Sequence, residues 1–177
     1  MEATTLRPQT WDAFIGQPKM KKRLETHIDA ANERDDQLEH VLLLGPAGSG
    51  KTSLAELIAE KHDSLFTSII MGQMKLSMLQ DVIINTSGVL FLDEVHKLKP
   101  AEQEMLLPVL LDGYVQMPYG REYLRYPLTI IAATTEREKV LRTIRERFKI
   151  RPEFEPYTDE DMTKILWNMN TRSECGL

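Results

Sequence analysis

Residues 40–60 read His40-Val41-Leu42-Leu43-Leu44-Gly45-Pro46-Ala47-Gly48-Ser49-Gly50-Lys51-Thr52-Ser53-Leu54-Ala55-Glu56-Leu57-Ile58-Ala59-Glu60. The first five residues are an apolar run of strand length, and the run from Ser53 has apolar residues at helical spacing. Between them, Gly45 to Thr52 spells a complete phosphate-binding loop. Gly48 and Gly50 let backbone N–H groups wrap phosphates, and the helix N-terminus that follows faces their negative charge. Lys51 neutralises the β and γ groups, and the Thr52 hydroxyl is a ligand for Mg²⁺. A nucleoside triphosphate is therefore the expected ligand of this turn.

The rest of the chain makes that turn part of an α/β domain. Gly88-Val89-Leu90-Phe91-Leu92 and Leu128-Thr129-Ile130-Ile131-Ala132-Ala133 are further apolar runs too short for helices, the pattern of strands buried on both faces of a parallel sheet. Residues 65–70 read as another strand. Helical patterns alternate with these strands. After Pro18, the residues Met20, Leu24, Ile28 and Ala31 recur at four-four-three spacing, and Asp35-Asp36 ends the helix. Met74, Met78, Leu79, Val82 and Ile83 suggest a second helix; Pro100 opens a third, with Pro108 expected to kink it and Gly113 to close it. A hairpin is expected over 114–126 around Tyr119-Gly120, and the segment before Gln17 reads as an extended strap. Ligands in such sheets gather at the carboxyl ends of the strands, where Gly45, Asp93-Glu94 and Thr134-Thr135 all fall.

Composition narrows the class. The 177 residues suit one domain, with 42% apolar and 28% charged residues and no stretch of membrane-span length. Cys175 is the only cysteine, so no internal disulfide forms; with no signal peptide ahead of Trp11, a cytoplasmic location is expected. A net charge of −5 and a pI near 5.5 argue against a domain-wide nucleic-acid surface, leaving only local contacts to DNA.

Asp93, at the end of a buried strand, is placed to hold the Mg²⁺ that Thr52 also ligates, and Glu94 is the natural base for an attacking water. Acids are common at strand ends; what raises this pair above that background is the phosphate loop about forty residues upstream. Thr135, at the tip of the next strand, is either a γ-phosphate sensor or a helix cap. Between Arg137 and Arg151, the bases Arg137, Lys139, Arg142, Arg145, Arg147, Lys149 and Arg151 face only Glu138 and Glu146. Such a run is ordinarily a solvated face, yet an arginine supplied by a neighbouring subunit accelerates phosphoryl transfer by about 10³–10⁵. Arg147 is the first candidate for that role and Arg145 the second. His27, His40, His62 and His96 show no metal-ligand spacing, and His96 is read as a structural or supporting residue two positions after Glu94.

These residues together resemble the large ATPase domain of the AAA+ superfamily, and most closely the RuvB-type motor of Holliday-junction branch migration. Leu6-Arg7-Pro8 with Phe14-Ile15-Gly16-Gln17-Pro18 resembles that family's adenine-contacting segment. Residues 91–98, Phe-Leu-Asp-Glu-Val-His-Lys-Leu, resemble its Walker B stretch, Ala133-Thr134-Thr135 its sensor-1 strand end, and Ile144-Arg145-Glu146-Arg147-Phe148 its arginine-finger segment. The likeness covers residues 6–166. It implies a three-layer fold around a central parallel five-stranded sheet, with ATP and Mg²⁺ as cofactors. It implies catalytic roles for Lys51, Asp93, Glu94, Thr135 and Arg147, with Thr52 and Asp93 on the metal. Nucleotide contacts are implied for Leu6, Arg7, Ile15, Gly48, Ser49, Gly50, Lys51, Thr52, Ser53, Arg145 and Tyr157. As partners it implies a hexameric ring of like subunits, branched DNA gripped by other domains, and RuvA.

The chain also departs from the family pattern. Segment 114–126 is shorter than the insertion that docks RuvA in the family, which weighs against that partner. Residues 1–157 are expected to be the large domain and 158–177 the start of a helical lid, with the family's winged-helix domain outside this chain. Two other functions fit the same motifs: a clamp-loader or initiator-like DNA machine, and a nucleotide-dependent assembly module with little turnover. The Leu-Arg-Pro opening and residues 93–98 favour the RuvB type over the first.

Overall fold

Aliphatic runs that alternate between two dry faces build the centre of the molecule. The computed structural model describes residues 7–72 and 74–174. In chain order these form α1 (Pro18–Glu33), β1 (Val41–Leu44), α2 (Lys51–Lys61), β2 (Phe66–Ile70), α3 (Leu76–Asn85) and β3 (Gly88–Asp93). Next come a 3-10 turn at Val95–Lys97, α4 (Pro100–Glu104), α5 (Leu106–Asp112), the hairpin β4 (Tyr114–Met117) and β5 (Gly120–Tyr123), and β6 (Leu128–Thr134). A second 3-10 turn, Arg137–Lys139, precedes α6 (Arg142–Arg145) and α7 (Asp159–Glu174).

The main sheet is parallel, in the order β1-β6-β3-β2, so each neighbour is reached by a crossover. Side chains on successive positions part to opposite sides, as a pleated strand requires. Val41, Leu43, Val89, Phe91, Ile131 and Ala133 face a core closed by α1 and α2. Leu42, Leu44, Leu90, Leu92, Ile130 and Ala132 face one closed by α3, α5 and α6. The result is the expected three-layer α/β arrangement. As expected, α1 buries Met20, Leu24, Ile28 and Ala31.

The sheet holds four paired strands where five were expected. The fifth position is occupied but its ladder is broken. Residues 150–154 run parallel to β1, making isolated bridges Val41↔Ile150 and Leu44↔Glu153. Leu42 N–H donates to Ile150 O, Leu44 N–H to Pro152 O, and Phe154 N–H to Leu44 O. The rung between these calls for an N–H from residue 152, and proline has none.

The helix after Pro100 also differs from expectation. It breaks at Met105 into α4 and α5 rather than kinking at Pro108. With the break there, Pro108 falls in the first turn of α5, where a missing N–H leaves no helical hydrogen bond unmade. Gly113 closes α5 in the left-handed conformation, φ 66°, as expected. Among the described residues no helix is long and apolar enough to cross a membrane.

The strap before α1 is not extended throughout, contrary to expectation: it folds into a turn in which Ala13 N–H donates to Thr10 O at 3.1 Å and Phe14 N–H to Trp11 O at 3.3 Å. Phe14 is buried in the α1–α2 core. The Gln17 side chain behaves like a strand neighbour: its amide donates to Glu155 O at 2.7 Å and accepts from Glu155 N at 3.0 Å. Strap, phosphate loop and the segment leading to α7 are thereby brought together.

Candidate nucleotide-binding site

β1 delivers Gly45 to the carboxyl edge of the sheet, where its N–H donates to Thr134 O of β6 at 3.3 Å. The loop then turns through Gly48 (φ 73°) and Gly50 (φ 94°), backbone angles that side chains resist. A Cβ on Gly48 would meet no protein atom within 4 Å, so the loop opens onto free space there. Gly50 is instead crowded from below: a Cβ would lie 3.2 Å from the Phe14 ring and 3.5 Å from the Tyr157 hydroxyl.

Lys51 is buried, and its ammonium donates to Gly45 O at 2.8 Å and Pro46 O at 2.7 Å. Burial pulls its pKa down, while the charges of Asp93 and Glu94 push the other way. Both carboxylates thus lie within electrostatic reach of the ammonium. Ser49 Oγ is buried without a hydrogen-bond partner among the described residues, a polar atom in the middle of the loop. The Tyr157 hydroxyl donates to Ser49 O at 2.9 Å, so Tyr157 props the loop as well as bordering the adjoining cleft. That cleft, about 210 Å³, is walled by Pro8, Phe14, Ile15, Gly50, Tyr157 and Ile165, and Ser53 also lines it. Apolar walls beside a polar loop suit a flat base joined to phosphates.

On the other side of the loop stands the end of β3. Asp93 and Glu94 are half-buried, and Glu94 N–H donates to Asp93 Oδ1 at 2.9 Å. Glu94 has φ 58°, left-handed for a residue with a side chain, where the strand breaks into the 3-10 turn. Its carboxylate lies 3.3 Å from His96 Nε2 and 4.0 Å from Lys97 Nζ. His96 Nε2 is also 3.3 Å from Glu136 Oε1, and Nδ1 is 3.0 Å from Thr134 Oγ1.

Lys51, Thr52, Asp93, Glu94 and Thr135 are therefore collected along one edge of the sheet, as expected of strand ends. Thr135 follows β6, half-buried; Thr134, the last residue of that strand, makes the hydrogen bonds. Arg7 is turned outward, pairing with Glu56 of α2 at 2.6 Å. Leu6 lies outside the described residues. Arg145 and Arg147 do not line the cleft of their own chain. Arg147 is exposed, and Arg145 lines a separate groove with Arg23, Arg137, Arg142 and Arg151. The pairing of His96 with Thr134 and Glu136, and the Gln17 clamp, escaped the sequence reading. Both join residues far apart in the chain, and spacing alone carries no signal for them.

Comparison with known proteins gives the same picture. Residues 6–154 match the family model described as the Holliday junction DNA helicase RuvB P-loop domain. The Holliday junction branch migration complex subunit RuvB of Limosilactobacillus reuteri is 37% identical over 173 residues, which is 92% of this chain and 51% of that protein. Its counterpart in Koribacter versatilis is 41% identical over 172 residues, 91% of this chain and 48% of that protein. The solved Thermotoga maritima RuvB Holliday junction branch migration motor superposes with a TM-score of 0.83 at 32% identity, covering 96% of this chain and 55% of that one. The chain thus spans about half the length of the curated relatives it matches. With a family model matched over residues 6–154 and relatives 37% and 41% identical over nine-tenths of its length, the chain belongs to the RuvB P-loop domain family.

Proposed function

We propose that the chain is an ATP-hydrolysing motor domain whose site is completed by a second copy, and that in a ring of such subunits, six by resemblance to the family, it drives branch migration of DNA junctions. The observation that carries this reading is that Lys51, at the start of α2, lies within electrostatic reach of Asp93 and Glu94 at the end of β3. Lys51 exchanges its two carbonyl partners for the β and γ phosphates. The loop amides of residues 48–52 take the remaining phosphate charge, and the apolar cleft of Ile15 and Tyr157 takes the base. Glu94 receives a proton from water as its oxygen attacks the γ-phosphorus and the bond to the β-phosphate oxygen breaks, releasing ADP.

Thr52 and Asp93 are hard oxygen donors and fit Mg²⁺, which keeps most of its shell as water and phosphate oxygens. Among the described residues no group of three acids, histidines or cysteines is clustered for a metal, in keeping with an ion held chiefly by its nucleotide. When bound, Mg²⁺ supplies charge neutralisation at the phosphates. Thr135 senses the γ-phosphate, and Arg147, exposed and outside its own cleft, acts on the nucleotide of the next subunit.

Residues 1–157 form the large domain in this reading and 158–177 begin a lid. DNA is gripped mainly elsewhere in the assembly, given the acidity of this chain. The short β4-β5 hairpin, with Tyr119 and Tyr123 exposed, is the face a RuvA-type partner would have to use. The whole is placed in the cytoplasm.

ATP turnover of the chain against its Glu94→Gln variant tests the hydrolytic reading. Loss of the base should slow turnover by about 10²-fold or more while nucleotide binding persists. Equal rates for the two proteins would sink it.

A further inference from the structure

The imidazole of His96 bridges the ends of β3 and β6, the strand ends beside the phosphate loop. Its side chain is only 6% exposed, and it has three polar neighbours: Glu94 Oε2 and Glu136 Oε1 at 3.3 Å from Nε2, and Thr134 Oγ1 at 3.0 Å from Nδ1. Thr134 Oγ1 also accepts the Glu136 N–H at 3.0 Å. Carboxylate oxygens only accept, so the ring proton belongs on Nε2, facing the two acids, and in the neutral ring Nδ1 is then the acceptor of the Thr134 hydroxyl proton. One N–H is thereby offered to two carboxylates. Glu136 has another partner, Lys139 Nζ at 2.6 Å, whereas Glu94, which feels the Lys51 charge across the loop, has among the described residues only Lys97 besides His96 as a basic partner within 4.0 Å.

The backbone of Glu94 contributes to the same end. Its left-handed φ of 58° turns the chain directly after β3, and the three-residue turn that follows carries His96 back over the strand ends. A glutamate on a free turn samples several rotamers, and a base must stay within hydrogen-bond reach of its water to act. Here the imidazole 3.3 Å from the Glu94 carboxylate is itself in contact with a buried threonine of the neighbouring strand.

We propose that His96 is a positioning residue for Glu94: it holds the carboxylate by Nε2–H and is itself held through Nδ1 by Thr134, so that the acidic end of β3 and the end of β6 beside Thr135 act as one unit. The inference rests on the reading of Glu94 as the base. It assigns His96 no contact with nucleotide, so its loss should change the rate of the chemical step and leave nucleotide affinity alone.

Two measurements on the 177-residue chain decide it. In steady-state kinetics, His96→Ala should lower kcat by about 10-fold or more with KM for ATP within about two-fold of the parent. His96→Gln, whose amide N–H stands near the place of Nε2–H, should recover most of that loss. Thr134→Val should lower kcat in the same direction, and the double variant should be less impaired than the product of the single effects. An unchanged kcat in His96→Ala overturns the proposal. So does a kcat loss that tracks lost ATP affinity and is not rescued by glutamine, which would mark a merely structural residue. The second measurement needs no turnover: the ¹⁵N resonances of the His96 ring, without nucleotide, should move in Glu94→Gln and in Thr134→Val. If the parent hydrolyses ATP no faster than Glu94→Gln, the hydrolytic reading falls. The ring resonances then still decide whether His96 holds Glu94, and unmoved resonances overturn the proposal.

Discussion

His40 is uncharged inside the fold, and that makes it a pH-dependent stabiliser. It sits just before β1, where its Nδ1 accepts the Ile130 N–H at 2.9 Å. Burial pushes its pKa down to about 4, with Glu39 opposing and nearby Lys149 assisting. The unfolded chain binds the proton near pH 6.5 while the folded chain resists it until about 4. The stability this neutral residue confers is therefore complete above pH 6.5 and is lost as pH falls toward 4, over a window worth about 3 kcal/mol. His40→Asn keeps an acceptor for the Ile130 N–H and removes the titration. In urea unfolding from pH 7 to pH 4, the parent should lose about 2–3 kcal/mol more than His40→Asn. Parallel curves would refute the assignment. The same side chain shows the limit of spacing as a signal: without metal-ligand partners in sequence, His40 and His96 look alike, and only the fold gives one an amide and the other two acids.

At the scale of elements, two glycines with similar backbone angles have opposite surroundings. Gly88 starts β3 at φ 82°, and a Cβ there would lie 2.6 Å from Leu65 O, the carbonyl that accepts the Val89 N–H at 2.7 Å. Gly88→Ala must push β2 and β3 apart where they first pair, and should destabilise the fold by about 2–4 kcal/mol. In a chain of this size that lowers the melting midpoint by about 5–15 °C. Gly48, at φ 73°, faces open space, so Gly48→Ala should be destabilised by only about 1 kcal/mol, yet it should weaken ATP binding because its Cβ enters the loop opening. Thermal unfolding and nucleotide titration separate the two, and a reversed order would contradict the assignment of that opening to phosphate. Elements with strong periodicity or a bounded apolar run, such as α1, β1, β3 and β6, were legible in the sequence. The broken fifth strand was not, because Pro152 removes a rung while its neighbours Ile150 and Phe154 still read as apolar. The split at Met105 was hidden for a related reason: a proline announces a disturbance, but the chain moved the break so that Pro108 sits where it does no harm.

The whole molecule places the residues proposed for hydrolysis and the candidate finger arginines apart, and the number of copies in the proposed working site turns on this separation. Lys51, Asp93 and Glu94 share one edge of the sheet with the cleft, whereas Arg147 is exposed and lines no part of that cleft. Arg145 is turned into the separate groove beside Arg23 and Arg151. Among the described residues of a single copy, no arginine lines the cleft beside the phosphate loop. If Arg147 acts on the next subunit, Arg147→Ala and Lys51→Ala each abolish turnover for different reasons: the first chain keeps a sound loop and the second a sound finger. Mixed in equal amounts at a concentration that favours association, random neighbours place a sound finger against a sound loop at about a quarter of interfaces. Turnover should then recover to about that share of the parent rate, rise and fall with the mixing ratio, and peak near equal amounts. Recovery also has to vanish on dilution below the association range, since a site within one chain has no such dependence. A mixture that stays inactive at every ratio while both variants still associate would place the finger elsewhere, with Arg145 the next residue to substitute.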